Sequence, residues 1–212
     1  TIDKKLQLYG EELMQNKIGS IVAIEPSTGE ILTLVSSPTF NPNALTGRTR
    51  SDNFKQLLLD ENKPLFNRAL LGQYAPGSTF KLINGLIALQ EKTLKIYSNY
   101  SCIGSFQYGN DKMVACHEHS SPLSLKKAIA ISCNAYFCNV FQIFFDKYQN
   151  TEIAYNTWYN HIASFGVGQW MNNDFTSGKK GLLPKTDFYD NIYGKTHWNA
   201  STVLSLSIGQ GE

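Results

Sequence analysis

The chain has 212 residues, of which 42% are hydrophobic, 12% aromatic and 17% charged. That is long enough for one well-cored domain and far from the polar, highly charged composition of a disordered segment. Nineteen basic against seventeen acidic residues leave a net charge of +2 with no long Lys/Arg run, so the electrostatic footprint of a nucleic-acid partner is missing.

In chain order, Ile2, Leu6, Tyr9 and Leu13 recur at helical spacing behind Asp3, which predicts an amphipathic helix with an aspartate cap. The runs 19–24 and 31–36 are β-rich and flank the Pro- and Gly-bearing stretch 25–30, which predicts a hairpin. A short helix is expected near 54–59. After Tyr74-Ala75-Pro76-Gly77 breaks the chain, residues 78–89 predict a helix whose Leu82, Ile83, Leu86, Ile87 and Leu89 would bury it on nearly all sides. A shorter helix is expected over 124–131. Phe137, Val140, Phe141, Phe144, Phe145 and Tyr148 then mark a strongly apolar one, and 151–165 a third that ends at Gly166. Residues 168–196 show no clear period and predict a surface loop; 201–208 predict a strand or a helix start. One hairpin with four or five helices is an α+β pattern whose sheet is small for its helices. No stretch reaches the roughly 18 apolar residues of a spanning helix, and the first residues have no signal-peptide pattern. The missing initiator Met and the ending at Gly211-Glu212 lead us to expect a piece of a longer protein.

The chemistry concentrates at Ser78 and Lys81. Three residues apart at a helix start, they share a face, the spacing a serine nucleophile needs when a lysine amine takes its proton. Free N–H groups in the first turn favour developing negative charge on the serine oxygen, and burial of Lys81 would lower its pKa toward the working pH. A capping serine beside a solvated lysine is the bland alternative. Pro76-Gly77 weighs against it, because a tight entry that lets a substrate backbone approach is more than a cap requires. Ser132-Cys133-Asn134 falls between two predicted helices, where a hydroxyl and an amide could face the same cleft.

Taken in order, these motifs resemble those of the class B penicillin-binding proteins, and among them the penicillin-binding protein 2 group that serves cell elongation. The matching segments are Thr1-Ile2-Asp3, residues 22–31, Ser37-Pro38, Asn67-Arg68-Ala69, residues 74–81, Ser132-Cys133-Asn134 and residues 207–211. They cover nearly the whole chain. The resemblance implies a partial transpeptidase domain over 1–212, with the penicillin-binding and serine β-lactamase-like fold truncated so that its C-terminal sheet strands are missing. It implies a D,D-transpeptidase or D-Ala-D-Ala carboxypeptidase class acyltransferase that needs no cofactor. Ser78 would attack the D-Ala-D-Ala carbonyl of a peptidoglycan stem peptide, or a β-lactam. Lys81 would take the proton, Ser132 would relay one to the leaving nitrogen, and Asn134 would bind the substrate amide. The parent would be periplasmic, anchored in the inner membrane, and partnered by a glycosyltransferase and an elongation scaffold. The family's third motif, Lys-Thr-Gly, is not found; Lys195-Thr196-His197 lacks the glycine and precedes residues 207–211. A fragment without that motif is expected to be weak or inactive alone.

Cys102, Cys116, His119 and Cys133 supply enough soft ligands for a tetrahedral structural zinc site, although their spacing fits no standard finger. A Cys102–Cys116 disulfide and free thiols remain open beside it. Cys138 is expected in the core, His161 and His197 without partners, and Trp158, Trp170 and Trp198 in core and rim. Two rival functions are carried forward. One is a serine β-lactamase or β-lactam-sensing receptor, for which no water-positioning base is found; the other is a zinc-stabilised binding module without catalysis.

Overall fold

A computed structural model describes residues 2–109, 112–170, 175, 177–195 and 197–211, so Thr1, Thr196 and Glu212 of the segments above lie outside the described residues. The chain divides into two compact units, Thr1–Gln73 with Asn173–Lys179, and Tyr74–Asn172 with Lys180–Glu212.

The first unit begins with α1 (Lys4–Leu13), where the Asp3 carboxylate accepts from the Leu6 N–H at 2.9 Å, as the cap signal predicts. β1 (Gly19–Ile24) and β2 (Ile31–Ser37) form the expected antiparallel hairpin, paired from Gly19 with Ser37 to Ile24 with Ile31. Helix α1 is fastened to β2 by Gln7, whose Oε1 accepts from Thr33 Oγ1 at 2.6 Å and from the Leu34 N–H at 2.9 Å. The approach is close: a Cβ on Gly10 would lie 2.9 Å from Val35 Cγ2. α2 runs from Arg50 to Leu59, a turn earlier than its apolar residues indicate. In α3 (Arg68–Leu71), Asn67 caps the N–H groups of Ala69 and Leu70, and the buried Arg68 guanidinium donates to the carbonyls of Asn62 and Lys63 at 2.7 and 3.1 Å.

The second unit is built around α4 (Phe80–Gln90) and the helix that packs on it, α6 (Asn134–Asp146). Ahead of α6 lie two short antiparallel pairs, β3 (Asn99–Tyr100) with β6 (Leu123–Ser124) and β4 (Ser105–Tyr108) with β5 (Lys112–Ala115), and α5 (Leu125–Ala130). After it come α7 (Thr151–Ser164), α8 (Thr186–Tyr193) and a 3-10 turn at Leu204–Ile208. The phenylalanine stripe of α6 is the core: Phe137, Phe141, Phe144 and Phe145 are all buried, each burial contributing roughly 1.5–3 kcal/mol. They meet Trp158 of α7, itself in contact with Tyr155, which packs on Tyr189 and Trp198.

Four expectations are corrected here. The unit contains two short antiparallel strand pairs that the sequence reading does not separate from loop, because strands of two and four residues carry too little alternation. Residues 168–196 are not all loop: Phe188, Tyr189 and Ile192 recur at helical spacing in α8, and Tyr189 is fully buried. α4 is not buried on all sides, since Leu82 and Leu86 are 50% and 54% exposed while Lys81, Asn84, Ile87 and Ala88 are buried. Trp170 is an exposed residue, whereas Trp158 and Trp198 are core.

Candidate active site

The turn that carries Ser78 is shaped by its neighbours in sequence. Pro76 is held by its ring at a helical φ of −66°, Gly77 follows at φ +61°, where an L side chain would be strained, and Gly77–Thr79 then form a 3-10 turn leading into α4. Thr79 Oγ1 closes the turn by donating to the Pro76 carbonyl at 2.8 Å. From the far end of the chain Gly209, at φ +66°, accepts from the Gly77 N–H at 2.8 Å, and a Cβ there would fall 2.2 Å from the Gly77 oxygen. Only glycine permits that approach. Ser78 is thereby presented exposed on the first turn, with its backbone N–H unused by the helix.

One turn on, Lys81 is almost fully buried, 2% exposed. Its Nζ donates to Asn134 Oδ1 at 2.6 Å, to the Ser132 carbonyl at 2.8 Å and to Ser132 Oγ at 3.0 Å, with the Phe137 ring beneath it at 5.9 Å. Burial pulls the amine's pKa below the ordinary lysine value, and the nearby thiols of Cys116, Cys133 and Cys138 oppose that only in part. The three acceptors take all three donors of an ammonium, so the amine is engaged by the Ser132–Asn134 loop; none of these bonds goes to Ser78. Sequence spacing places Ser78 and Lys81 on one face but does not show this second commitment.

That loop is strained toward the amine. Ser132 sits at φ +55°, a left-handed conformation that costs a non-glycine residue on the order of 1 kcal/mol and turns both its oxygens onto Lys81. Cys133 caps α6 by accepting from the Tyr136 N–H. Asn134 is held at three points: Oδ1 on Lys81, Nδ2 donating to the Ala115 carbonyl at 2.9 Å, and N–H donating to Cys116 Sγ at 3.3 Å.

Beside the loop, the ligand atoms of Cys102, Cys116, His119 and Cys133 all lie within 4.8 Å of one another. Cys116 is their hub, 3.5 Å from His119 Nε2 and 3.7 Å from Cys133 Sγ. His119 Nδ1 meets the Ser120 carbonyl at 2.8 Å, a contact that makes Nδ1 the protonated nitrogen and leaves Nε2 facing the sulfur. Burial raises the Cys116 thiol, but hydrogen bonds from the Ala135 and Asn134 N–H groups, together with the contacts to His119 and Cys133, outweigh it and bring it down to about 7. Burial holds Cys133 up at about 12. Three thiols and an imidazole at these separations fit a tetrahedral zinc site. His117 stays outside the set, and Cys138 packs in the core against Ser207.

Two groups escaped the sequence reading. Asn84, one turn beyond Lys81, accepts from Trp158 Nε1 at 2.8 Å and donates to the carbonyls of Leu206 and Ser207 at 3.0 Å each, which ties α4 to the segment that carries Gly209. A lone amide inside an apolar helix was its signal. Glu91, at the C-cap of α4, accepts from Lys147 at 2.6 Å, Tyr148 at 2.8 Å and His161 at 2.8 Å. His161 therefore has a partner, contrary to expectation; it lies seventy residues away in sequence, beyond the reach of any local pattern.

The chain as a whole has counterparts among known proteins. The family described as Penicillin binding protein transpeptidase domain matches residues 19–210. The chain belongs to that family. Its similarity extends to the peptidoglycan D,D-transpeptidase MrdA of Acinetobacter baumannii, 32% identical over the whole chain, and to that of Escherichia coli, 27% identical. The chain spans 30% and 32% of the length of these two relatives. Among solved structures, Pseudomonas aeruginosa penicillin-binding protein 2 is 29% identical with a TM-score of 0.86, over 99% of this chain and 46% of that one. The Helicobacter pylori protein is 25% identical at the same TM-score, over 100% of this chain and 38% of that one. The fold is thus the α+β penicillin-binding transpeptidase fold, of which the described residues supply the helical core and three two-stranded sheets.

Proposed function

We propose that the chain is the nucleophile-bearing part of a peptidoglycan D,D-transpeptidase. Ser78 Oγ attacks the D-Ala-D-Ala carbonyl of a stem peptide, the terminal D-alanine leaves, and the amine of a neighbouring stem peptide resolves the ester into a cross-link. Lys81, whose hold on its proton burial weakens, takes the serine proton. Ser132 Oγ, in contact with that amine, returns a proton to the leaving nitrogen. Asn134 binds the substrate amide, and the Ser78 N–H stabilises the oxyanion. The observation that carries this reading is the buried Lys81 amine held by Ser132 Oγ and Asn134 Oδ1, since a solvated lysine beside a capping serine would make neither contact. Among the described residues no hydrogen bond of Lys81, Ser132 or Asn134 involves a carboxylate, which favours transfer over the hydrolytic reading.

Relatives suggest the setting. One Helicobacter pylori penicillin-binding protein 2 structure is a complex with MreC, and a further match is a peptidoglycan synthase complex. We extend this to a scaffold and a glycosyltransferase as partners of the parent, and to a periplasmic, inner-membrane-anchored site of action. No helix of the described residues is long and apolar enough to cross a membrane. Catalysis needs no cofactor. Zinc held by Cys102, Cys116, His119 and Cys133 would act as a structural tie for the loop that carries Ser132 and Asn134.

Intact mass after penicillin exposure tests the enzymatic reading on the protein in the full length its cell makes. One penicillin per chain is expected on the native protein and none on Ser78→Ala; equal adducts on both would end it. Elemental analysis tests the metal: about one zinc per chain, with a fall in melting temperature on chelation, is expected, and neither would appear if the thiols are merely packed.

A further inference from the structure

Cys116 Sγ and Cys133 Sγ are 3.7 Å apart, so closure to a disulfide bond of about 2.05 Å requires the sulfurs to move together by roughly 1.6 Å. The pair is asymmetric: Cys133 is fully buried while Cys116 is half-buried. Each sulfur also supports the loop that holds Lys81, Cys116 by accepting from the Asn134 N–H and Cys133 by accepting from the Tyr136 N–H, both at 3.3 Å. A change in the bonding of these sulfurs is therefore felt directly at Asn134.

We propose that Cys116 and Cys133 are a modification site for thiol–disulfide exchange, closed by a disulfide-bearing oxidant. Cys116, the reachable sulfur, attacks the oxidant's disulfide and forms a mixed disulfide, releasing the first oxidant sulfur as a thiol. Cys133, already in contact, then displaces the second. Two protein S–H bonds and the oxidant's S–S bond break; one protein S–S bond and two oxidant S–H bonds form. The protein gives up two electrons and two protons, and the oxidant receives both. Closure draws Cys116 Sγ off the Asn134 N–H and Cys133 Sγ off its cap, which loosens the acceptors of Lys81 and slows acylation of Ser78. Zinc and the disulfide exclude one another because they use the same two sulfurs, so bound metal protects the site. The effect on acylation rests on the transpeptidase reading; the linkage itself does not.

The test uses the protein in the full length its cell makes, with and without chelator, exposed to oxidised glutathione and mapped by alkylation and peptide mass spectrometry. The expected product is a single disulfide joining the Cys116 and Cys133 peptides, formed also in Cys102→Ser. Penicillin labelling should fall roughly tenfold on closure and return with dithiothreitol, the scale of one lost hydrogen bond at the loop. A Cys102–Cys116 linkage, or four freely alkylated thiols after oxidation, overturns the site, and a closed disulfide with undiminished labelling overturns its effect on acylation. Absent labelling in the reduced protein would count against the transpeptidase reading while the peptide map still decides the linkage. Equal oxidation with and without chelator would count against zinc alone.

Discussion

α4 carries a charged side chain at each end, and the two are treated in opposite ways. Lys81 is nearly inaccessible and is met only by neutral acceptors, two oxygens of Ser132 and one of Asn134. Glu91, roughly 15 Å further along the helix, is met by Lys147, His161 and the Tyr148 hydroxyl. Burial pulls the lysine down from its ordinary value, whereas the hydrogen bonds from Lys147, His161 and Tyr148 hold the Glu91 carboxyl at about 2. Both residues make three hydrogen bonds. The difference is that burial weakens the lysine's hold on its proton while the bonds around Glu91 oppose the gain of one, so on the proposed reading the first end of the helix is chemical, and the second is a clasp between α4, α6 and α7.

Removing each group should separate these roles. Lys81→Met is expected to slow penicillin labelling by roughly 10²- to 10⁴-fold, the contribution of a positioned base. Its melting temperature should change little, because three lost hydrogen bonds are offset by an amine that no longer has to be desolvated. Labelling at the native rate would erase the distinction between the two ends. Glu91→Gln is expected to do the reverse, with labelling within roughly threefold of native and stability lower by roughly 1–3 kcal/mol near neutral pH.

The acid dependence sharpens the second result. A carboxylate depressed in the folded state from 4.5 to about 2 binds fewer protons than in the unfolded chain, so its contribution is complete above pH 4.5 and is lost as pH falls toward 2. The stability gap between native protein and Glu91→Gln, followed by thermal melts, should therefore narrow across that window. A gap that is constant or widens on acidification would show that the clasp is not electrostatic.

How much of this the sequence carried follows the range of each interaction. Asp3, the β1–β2 hairpin and the phenylalanine face of α6 are written in neighbours a few residues apart, and so is the Ser78, Lys81 spacing. The four residues Cys102, Cys116, His119 and Cys133 could be named together because thiols and imidazoles are rare enough to count. The clasp at Glu91, the grip of Asn84 on Leu206 and Ser207, and the contact of Gly209 with Gly77 join positions far apart in the chain, and nothing local announces them. Ser132 shows the same limit: its motif could be read, but not the left-handed backbone that turns it onto Lys81. The exposed side of α4 was misread because leucine at 82 and 86 looks the same whether or not anything covers it.

The central claim is that burial has made the amine at position 81 a base. The pH profile of penicillin acylation, in the protein in its full cellular length, tests it most directly. The account predicts a rate that rises with pH as the amine loses its proton and levels off below the ordinary lysine value of 10.5. A rate that is flat with pH, or that climbs without a plateau through 10.5, would contradict it.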